Sequence, residues 1–248
     1  MGVFSGPKIL GASNIVMSID LANIKSYSGT GTSVVDPFSR NTNELSNRDN
    51  YYKIYDLEVG DYVLPYSSPA ALPTYSAGNV VFDGTNNSLR FTSPSLGTTI
   101  TVEIWARLGS SYSNNTMFAF ESYGITTTNG YLGFSTSLND LYGASVNDVT
   151  VTYPIANVWR HYIFEMRTDV SYSNNKIYID GTQLSLTQQL GTEIAGNRRF
   201  STYGSISSWI NVDGSEMPMT LGSVKIYNRA LTQTEILQNY SAGRGRFA

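Results

Sequence analysis

The feature that most constrains the fold is the alternation of apolar and polar residues in short runs that recur along the chain. In Ile100–Leu108 the apolar side chains occupy every second position, so they share one face of an extended strand. Trp159–Arg167 alternates in the same way. About a dozen such runs, separated by turn residues, predict an all-β fold, an antiparallel jelly-roll β-sandwich with one short C-terminal helix.

The helix is predicted from its capping residues. Thr232 and Glu235 have the spacing of a capping box, in which each side chain binds the backbone N–H of the other residue. Leu231 and Ile236 flank that box as a hydrophobic staple. Gly243 is placed to end the helix in a left-handed turn.

Two Asp-Gly pairs predict β-hairpins, because this dipeptide favours the tight turns that join antiparallel strands. Asp83–Gly84 divides the segment Asn79–Phe91, and Asp180–Gly181 follows the apolar run that starts at Lys176.

The chain length of 248 residues suits a single large sandwich. We predict an N-terminal arm at 1–12, the domain at 13–243 and a short tail at 244–248. An insert rich in tyrosine occupies 33–76 within the domain. Because there is no cysteine, disulfides and thiolate chemistry are excluded.

Charge and hydropathy narrow the range of partners. The net charge of −3 provides no basic patch, so we expect no nucleic-acid partner. No apolar run reaches the length of a membrane span, and the first residues lack the layout of a signal peptide, so we expect no membrane partner.

Several motifs in a fixed order resemble one family. They are VVFDGTNNSLRF followed by TTITVEIWARL, then WRHYIFEMR with NKIYIDGTQL, and finally LGSVKIYNRALTQTEILQNY. The ordered set resembles the laminin-G-like jelly-roll branch of the concanavalin A-like lectin/glucanase superfamily. The early stretch ILGASNIVMSIDLANIKSYSGTGT and the ending ILQNYSAGRGRF are similar to such domains in structural proteins of tailed phages of the cyanophage type.

This resemblance implies a non-catalytic phage virion protein that decorates the capsid or belongs to a fibre or appendage. Its implied partners are other virion proteins, with surface glycans and further copies of the chain left open, and its implied location is the virion. Ser223 stands where many relatives carry Asp, so an inherited calcium site is in doubt. We predict no cofactor, no metal site and no catalytic residue.

The candidate ligand or interface residues are aromatic. Tyrosine supplies rigid contact area that is both apolar and hydrogen-bonding, as protein and glycan interfaces require. Trp105 and Trp159 are expected to be structural, and His161 to hydrogen-bond within the sheet. The candidates are Tyr51, Tyr52, Tyr55, Tyr62, Tyr66 and, in a polar loop where exposure is expected, Trp209.

Two other function classes remain alternatives. One is a free carbohydrate-binding lectin. The other is a polysaccharide hydrolase, because Asp56 and Glu58, with Asp61 nearby, have the two-residue spacing of paired catalytic carboxylates on a strand. Gly60 interrupts that strand, and the run lies in the insert rather than in mid-chain, so the hydrolase is the less favoured alternative.

Overall fold

The computed structural model describes residues 14–22, 54–55, 62–65, 73–85, 87–110, 114–146, 155–209 and 214–247. Within these ranges the strands form two antiparallel sheets, sheet A with eight strands and sheet B with nine. The strands of sheet A are β1 (Ile15–Asp20), β4 (Thr74–Ser76), β5 (Asn79–Phe82), β7 (Thr99–Leu108), β12 (Trp159–Arg167), β13 (Lys176–Ile179), β14 (Thr182–Gln183) and β17 (Met219–Tyr227). The strands of sheet B are β2 (Ile54–Tyr55), β3 (Tyr62–Pro65), β6 (Leu89–Thr92), β8 (Asn115–Phe120), β9 (Gly124–Thr128), β10 (Tyr131–Ser135), β11 (Leu141–Ser145), β15 (Thr187–Leu190) and β16 (Tyr203–Ile206).

The described helices are short, apart from the last one. Two single turns of 3-10 helix lie at Tyr172–Asn174 and Ala195–Asn197, and the α-helix α1 spans Gln233–Phe247. Among the residues that the structure describes, no helix is long and apolar enough to cross a membrane.

Sheet A is built around two long strands that the alternation predicted. Its order is β14–β13–β12–β7–β17–β5–β4, and β1 pairs with the far end of β17. β12 has the predicted bounds, and β7 begins one residue before the predicted run. The two strands pair along their whole length, from Trp159 opposite Arg107 to Arg167 opposite Thr99.

The core lies between the two sheets and is aromatic and aliphatic. The inward face of β7 carries Ile100, Val102 and Ile104, which have no exposed surface. Across the layer, the rings of Phe134 in sheet B and Phe164 in sheet A meet edge to face, with centroids 6.3 Å apart. The all-β sandwich with one C-terminal helix is therefore confirmed.

The predicted hairpin at Asp83–Gly84 is wrong. β5 and β6 belong to different sheets, so the turn carries the chain from one layer to the other. Gly84 has a φ of +77°. A side chain there would meet Pro218, with a Cβ placed 2.6 Å from its Cδ, so glycine is required by both the conformation and the space.

The hairpin at Asp180–Gly181 is confirmed. It joins β13 to β14, and both turn residues have positive φ, 50° at Asp180 and 83° at Gly181. This is the pattern of the turn type that matches the twist of a hairpin.

The predicted end of the helix at Gly243 is wrong, because α1 continues through Phe247. Phe247 is buried against sheet A, so residues 244–247 of the predicted tail form the last turn of the helix. The capping box at the other end is confirmed: the Thr232 N–H donates to Glu235 at 2.8 Å, and the Glu235 N–H donates to Thr232 Oγ1 at 3.3 Å. Leu231 and Ile236 lie in one buried cluster, as the staple requires.

Candidate functional site

The outer face of sheet A, turned away from the core, is covered by α1. Trp105 on β7 lies beneath the helix and is only 3% exposed. Its ring stacks on Phe247 with centroids 4.9 Å apart and on Tyr240 at 6.0 Å. The helix can lie this close because residue 243 is glycine: a Cβ there would be 2.5 Å from the indole nitrogen of Trp105.

A buried carboxylate joins the helix to the sheet. Glu103 on β7 is 1% exposed. It accepts hydrogen bonds from Lys225 Nζ at 2.9 Å, from the Tyr227 hydroxyl at 2.6 Å and from the Asn239 amide at 2.9 Å. His161 Nε2 lies 3.4 Å from the same carboxylate, but neither nitrogen of its ring has a hydrogen bond to a described residue, so the hydrogen bond expected of His161 within the sheet is not formed.

These contacts determine the charge state of the network. Burial opposes ionisation of Glu103, but the charge of Lys225, the neighbouring His161 and the hydrogen bond from Tyr227 outweigh it and hold its pKa well below the usual range. Burial, followed by the charge of Glu103, raises the pKa of Tyr227 well above its usual range. Glu103 is therefore a structural anion whose contacts and burial leave no access for a substrate.

Next to this network, sheet A and α1 form an open pocket of about 380 Å³, which we call the aromatic groove. Its volume is in the range of small-molecule sites. Trp159 is half-buried and contacts Phe247 with ring centroids 4.9 Å apart. Residues that line the groove are Trp105, Arg107, Asn157, Val158, Trp159, Arg160, Asp180, Tyr240 and Phe247.

Polar groups of the groove are fixed by neighbouring strands. Arg160 Nη1 donates to Asp180 Oδ2 at 2.5 Å, and the second oxygen of Asp180 accepts from the His161 N–H at 2.9 Å. Arg107 is exposed and lies opposite Trp159 on the adjacent strand. The groove thus combines aromatic surface with guanidinium groups, which suits a ligand with both apolar faces and oxygen substituents.

The loop that leads into β12 forms one wall of the groove. Asn157 has a φ of 56°, a conformation that asparagine tolerates better than most residues. Its N–H donates to the carbonyl of Leu108 at 2.7 Å, and this bond fixes the loop against β7. The following Val158 is 41% exposed, so an apolar side chain is held open to solvent at the rim.

A second pocket, of about 440 Å³, lies against sheet B and is lined by Arg90, Glu121, Arg199, Phe200, Ser201, Thr202 and Tyr203. The guanidinium of Arg90 covers the ring of Tyr203 at 5.0 Å, so one face of that aromatic is already occupied. Phe200 is engaged by Phe120 at 5.0 Å. This pocket has two aromatic lining residues, whereas the groove has four, and this difference makes the groove the better candidate.

The structure describes two of the five tyrosine candidates, Tyr55 and Tyr62. Tyr51, Tyr52 and Tyr66 lie outside the described residues, as do Asp56, Glu58 and Asp61. Tyr55 and Tyr62 are opposite each other in β2 and β3, at one edge of sheet B. The binding role of the tyrosines, and the hydrolase alternative that rests on the three acids, stay predictions.

Trp209 was expected to be exposed, but only 6% of its surface is accessible to solvent. Its indole N–H donates to the carbonyl of Glu121 at 3.0 Å, and its own N–H donates to Ser215 Oγ at 2.8 Å. A Cβ on Gly124 would lie 3.0 Å from the ring, so Trp209 is packed onto β9. The polar residues around Trp209 suggested exposure. The sequence does not show that β9 lies beside Trp209, or that Gly124, which has no side chain, leaves room there for the indole ring.

Sequence reasoning assigned Trp159 a structural role and missed Arg107, Arg160, Asp180, Tyr240 and Phe247. The alternation did place Trp105 and Arg107 on the outer face of β7. The missing signal was the length of α1, because a helix that ended at Gly243 would not bring Phe247 to that face. Elsewhere in the described ranges, no three His, Asp or Glu side chains are grouped as a metal site.

Comparison with known proteins agrees with this architecture. Residues 83–237 match a laminin-G-type family model described as the concanavalin A-like lectin/glucanases superfamily. The chain belongs to this superfamily. Among curated proteins, no sequence matches the chain.

Solved structures of similar fold include botulinum neurotoxin domains. The serotype D ligand-binding domain in complex with N-acetylneuraminic acid has 11% identity and a TM-score of 0.56, and the match covers 92% of this chain and 50% of that one. The type G receptor-binding domain has 12% identity and a TM-score of 0.54, with coverage of 92% and 51%. A structure of type C, whose cell entry depends on two ganglioside molecules, has 14% identity and a TM-score of 0.51, with coverage of 94% and 52%.

These likenesses concern the fold, and this superfamily member spans about half the length of each neurotoxin chain. The superfamily contains both lectins and glucanases. Glucanases of the retaining or inverting kind need two carboxyl groups beside the scissile bond. Among the described lining residues of the groove, Asp180 is the one acid, and Arg160 holds it in an ion pair.

Proposed function

We propose that the chain is a non-catalytic carbohydrate-binding domain and that the aromatic groove is its binding site. The observation that carries this proposal is the pairing of Trp159 with Arg107 on adjacent strands of a lectin-type sandwich. An aromatic ring can pack against the apolar face of a sugar, while guanidinium groups donate to its oxygens.

The ligands of proteins with this fold indicate which compounds to test first. N-acetylneuraminic acid is bound in the serotype D structure, and gangliosides are used by type C. Identity of 11% and 14% carries no binding residue across to this chain. The first screen should therefore include sialylated, neutral and uronic-acid glycans.

Glycan-array binding of the full chain, followed by calorimetry, tests the proposal. We expect Trp159→Ala to weaken binding about tenfold or more, since truncation of a central aromatic contact removes roughly 1–2 kcal/mol. Thermal unfolding of the variant must show that it is folded. The control is Tyr203→Ala, which removes an aromatic that is 50% exposed on sheet B. Loss of binding in Tyr203→Ala, with none in Trp159→Ala, would contradict the groove as the site.

The absence of catalysis is tested separately. We expect no release of reducing sugar from any glycan that binds, because the groove offers one ion-paired acid instead of two carboxyl groups. Release that is lost on Asp56→Asn or Glu58→Gln would establish the hydrolase alternative.

We further propose that the domain is carried on a phage particle, as a capsid decoration or as part of a fibre or appendage. The support is the similarity of its early segment and its ending to structural proteins of tailed phages. In that setting, the partners are other virion proteins and surface glycans. Mass spectrometry of purified particles should detect the chain; particles that lack it would leave a free lectin as the alternative.

A further inference from the structure

We propose that the aromatic groove selects an acidic saccharide and that Arg107 reads its carboxylate or sulfate group. This inference rests on the proposed function, since it names the ligand class of the same site. The observations that carry it are the ion pairing of the groove's charges and the position of Arg107 beside Trp159.

The charges of the groove do not cancel. The lining residues that carry a charge at neutral pH are Arg107, Arg160 and Asp180. Asp180 is committed to Arg160 at 2.5 Å and to the His161 N–H at 2.9 Å. Within the described ranges, Arg107 has no carboxylate at ion-pair distance, and its side-chain hydrogen bond is to Thr220 Oγ1 at 3.5 Å. The groove therefore carries an excess positive charge, located on Arg107.

Arg107 is placed to act together with the aromatic surface. On adjacent antiparallel strands, directly opposite residues have Cβ atoms about 4.5–5.5 Å apart. Arg107 and Trp159 form such a pair, and both lie on the outer face of sheet A. A sugar ring packed on the indole would then have a ring substituent within reach of the guanidinium.

The chemistry of the guanidinium group favours an anionic substituent. Arginine binds a carboxylate or sulfate through two parallel N–H donors, an arrangement that a single hydroxyl does not match. A neutral sugar has no anion to pair with the guanidinium of Arg107, whereas a uronic acid or a sulfated sugar supplies one. The ion-paired Arg160 contributes hydrogen bonds but no uncompensated charge.

The test compares acidic saccharides with neutral counterparts of the same backbone. The probes are an oligogalacturonate and its full methyl ester, together with a glucuronate-terminated trisaccharide and its glucose-terminated counterpart. Calorimetry of the full chain should give tighter binding to the acidic member of a pair by about tenfold, as a charge-assisted hydrogen bond provides. Arg107→Gln should weaken binding of the acidic member more than that of the neutral member, and the preference should thereby be abolished.

Control variants separate local recognition from net charge. Arg244→Gln removes the same charge from an exposed position of α1 that does not line the groove, so the preference should persist. Arg107→Lys keeps the charge but loses the paired donors, so the preference should fall only in part. Thermal unfolding confirms that each variant is folded.

Each outcome has a defined meaning. Equal binding of acidic and neutral members by the unaltered chain would overturn the acidic preference while the proposed function stands. A preference that survives Arg107→Gln would overturn the role of Arg107. No binding of any probe would overturn this inference, and the broader glycan array then decides the proposed function independently.

Discussion

Glu103 is a buried carboxylate that accepts hydrogen bonds from the neighbouring strand β17 and from the helix α1. Its donors are Lys225, Tyr227 and Asn239, and the last of these belongs to α1. A buried charge is stable only when it is paired and its lone pairs are satisfied. The network therefore couples the helix that forms one wall of the aromatic groove to the centre of sheet A.

Removal of this charge should be costly. In Glu103→Gln the Lys225 ammonium, whose side chain is 12% exposed, loses its anion, and we expect a loss of about 3 kcal/mol in the free energy of unfolding. The matched control is Glu165→Gln, because Glu165 pairs with Lys176, whose side chain is 42% exposed, and such a pair is worth about 1 kcal/mol or less. Urea unfolding at neutral pH measures both. Equal losses in the two variants would contradict the role of Glu103.

The same carboxylate predicts a dependence on pH. The pKa of Glu103 is lower in the folded chain than its reference value of 4.5. The ionised carboxylate therefore stabilises the fold above pH 4.5, and this contribution to the free energy of unfolding is lost as the pH falls. Glu235 acts in the same direction, since the hydrogen bond from Arg229 lowers its pKa to about 2. The stability difference between the unaltered chain and Glu103→Gln should shrink as pH falls below 4.5. A difference that stays constant or widens in acid would be inconsistent with an ionised Glu103.

At the scale of elements, α1 is held by contacts that require a close approach to sheet A. Phe247 packs between Trp105 and Trp159, each at a centroid distance of 4.9 Å. At the same end, Arg246 pairs with Asp20 of β1 at 2.6 Å. Glycine has a low helix propensity, so the glycines at 243 and 245 disfavour a helix at these positions. The helix extends past them because its last turn packs against sheet A.

The two glycines of the last turns should respond in opposite ways to alanine. Gly243→Ala would place a Cβ 2.5 Å from the Trp105 indole, and we expect a loss of about 1–3 kcal/mol in the free energy of unfolding. Gly245→Ala meets nothing within 4 Å and should gain up to about 1 kcal/mol from its helix propensity. Urea unfolding of both variants decides the matter. Stabilisation by both alanines would show that α1 does not press on Trp105.

The sequence predicted the strands and the start of the helix because these depend on local signals. Alternation determines which side chains of β7 face the core, and the box at Thr232 and Glu235 determines where α1 begins. The end of the helix depends on Trp105, more than one hundred residues away, and local signals do not contain that contact. The turn at Asp83 likewise needs knowledge of Pro218.

At the scale of the whole molecule, the sandwich serves as a frame with two unlike faces. Sheet A carries α1 and the aromatic groove on its outer side, while Trp209 is packed against sheet B. The groove could not be predicted, since its lining comes from two strands, two connecting segments and the helix. Binding by this molecule should therefore be confined to the helix side of sheet A.

The three tryptophan indole N–H signals test this account most directly. They can be followed by NMR in the 15N-labelled chain during titration with an oligosaccharide that binds on the array, and assigned with Trp159→Phe and Trp209→Phe. We predict that the signal of Trp159 shifts with saturation, that the signal of Trp105, which is buried beneath α1, shifts less, and that the signal of Trp209 does not move. Saturable shifts at Trp209 with an unmoved Trp159 would contradict a binding site at the aromatic groove.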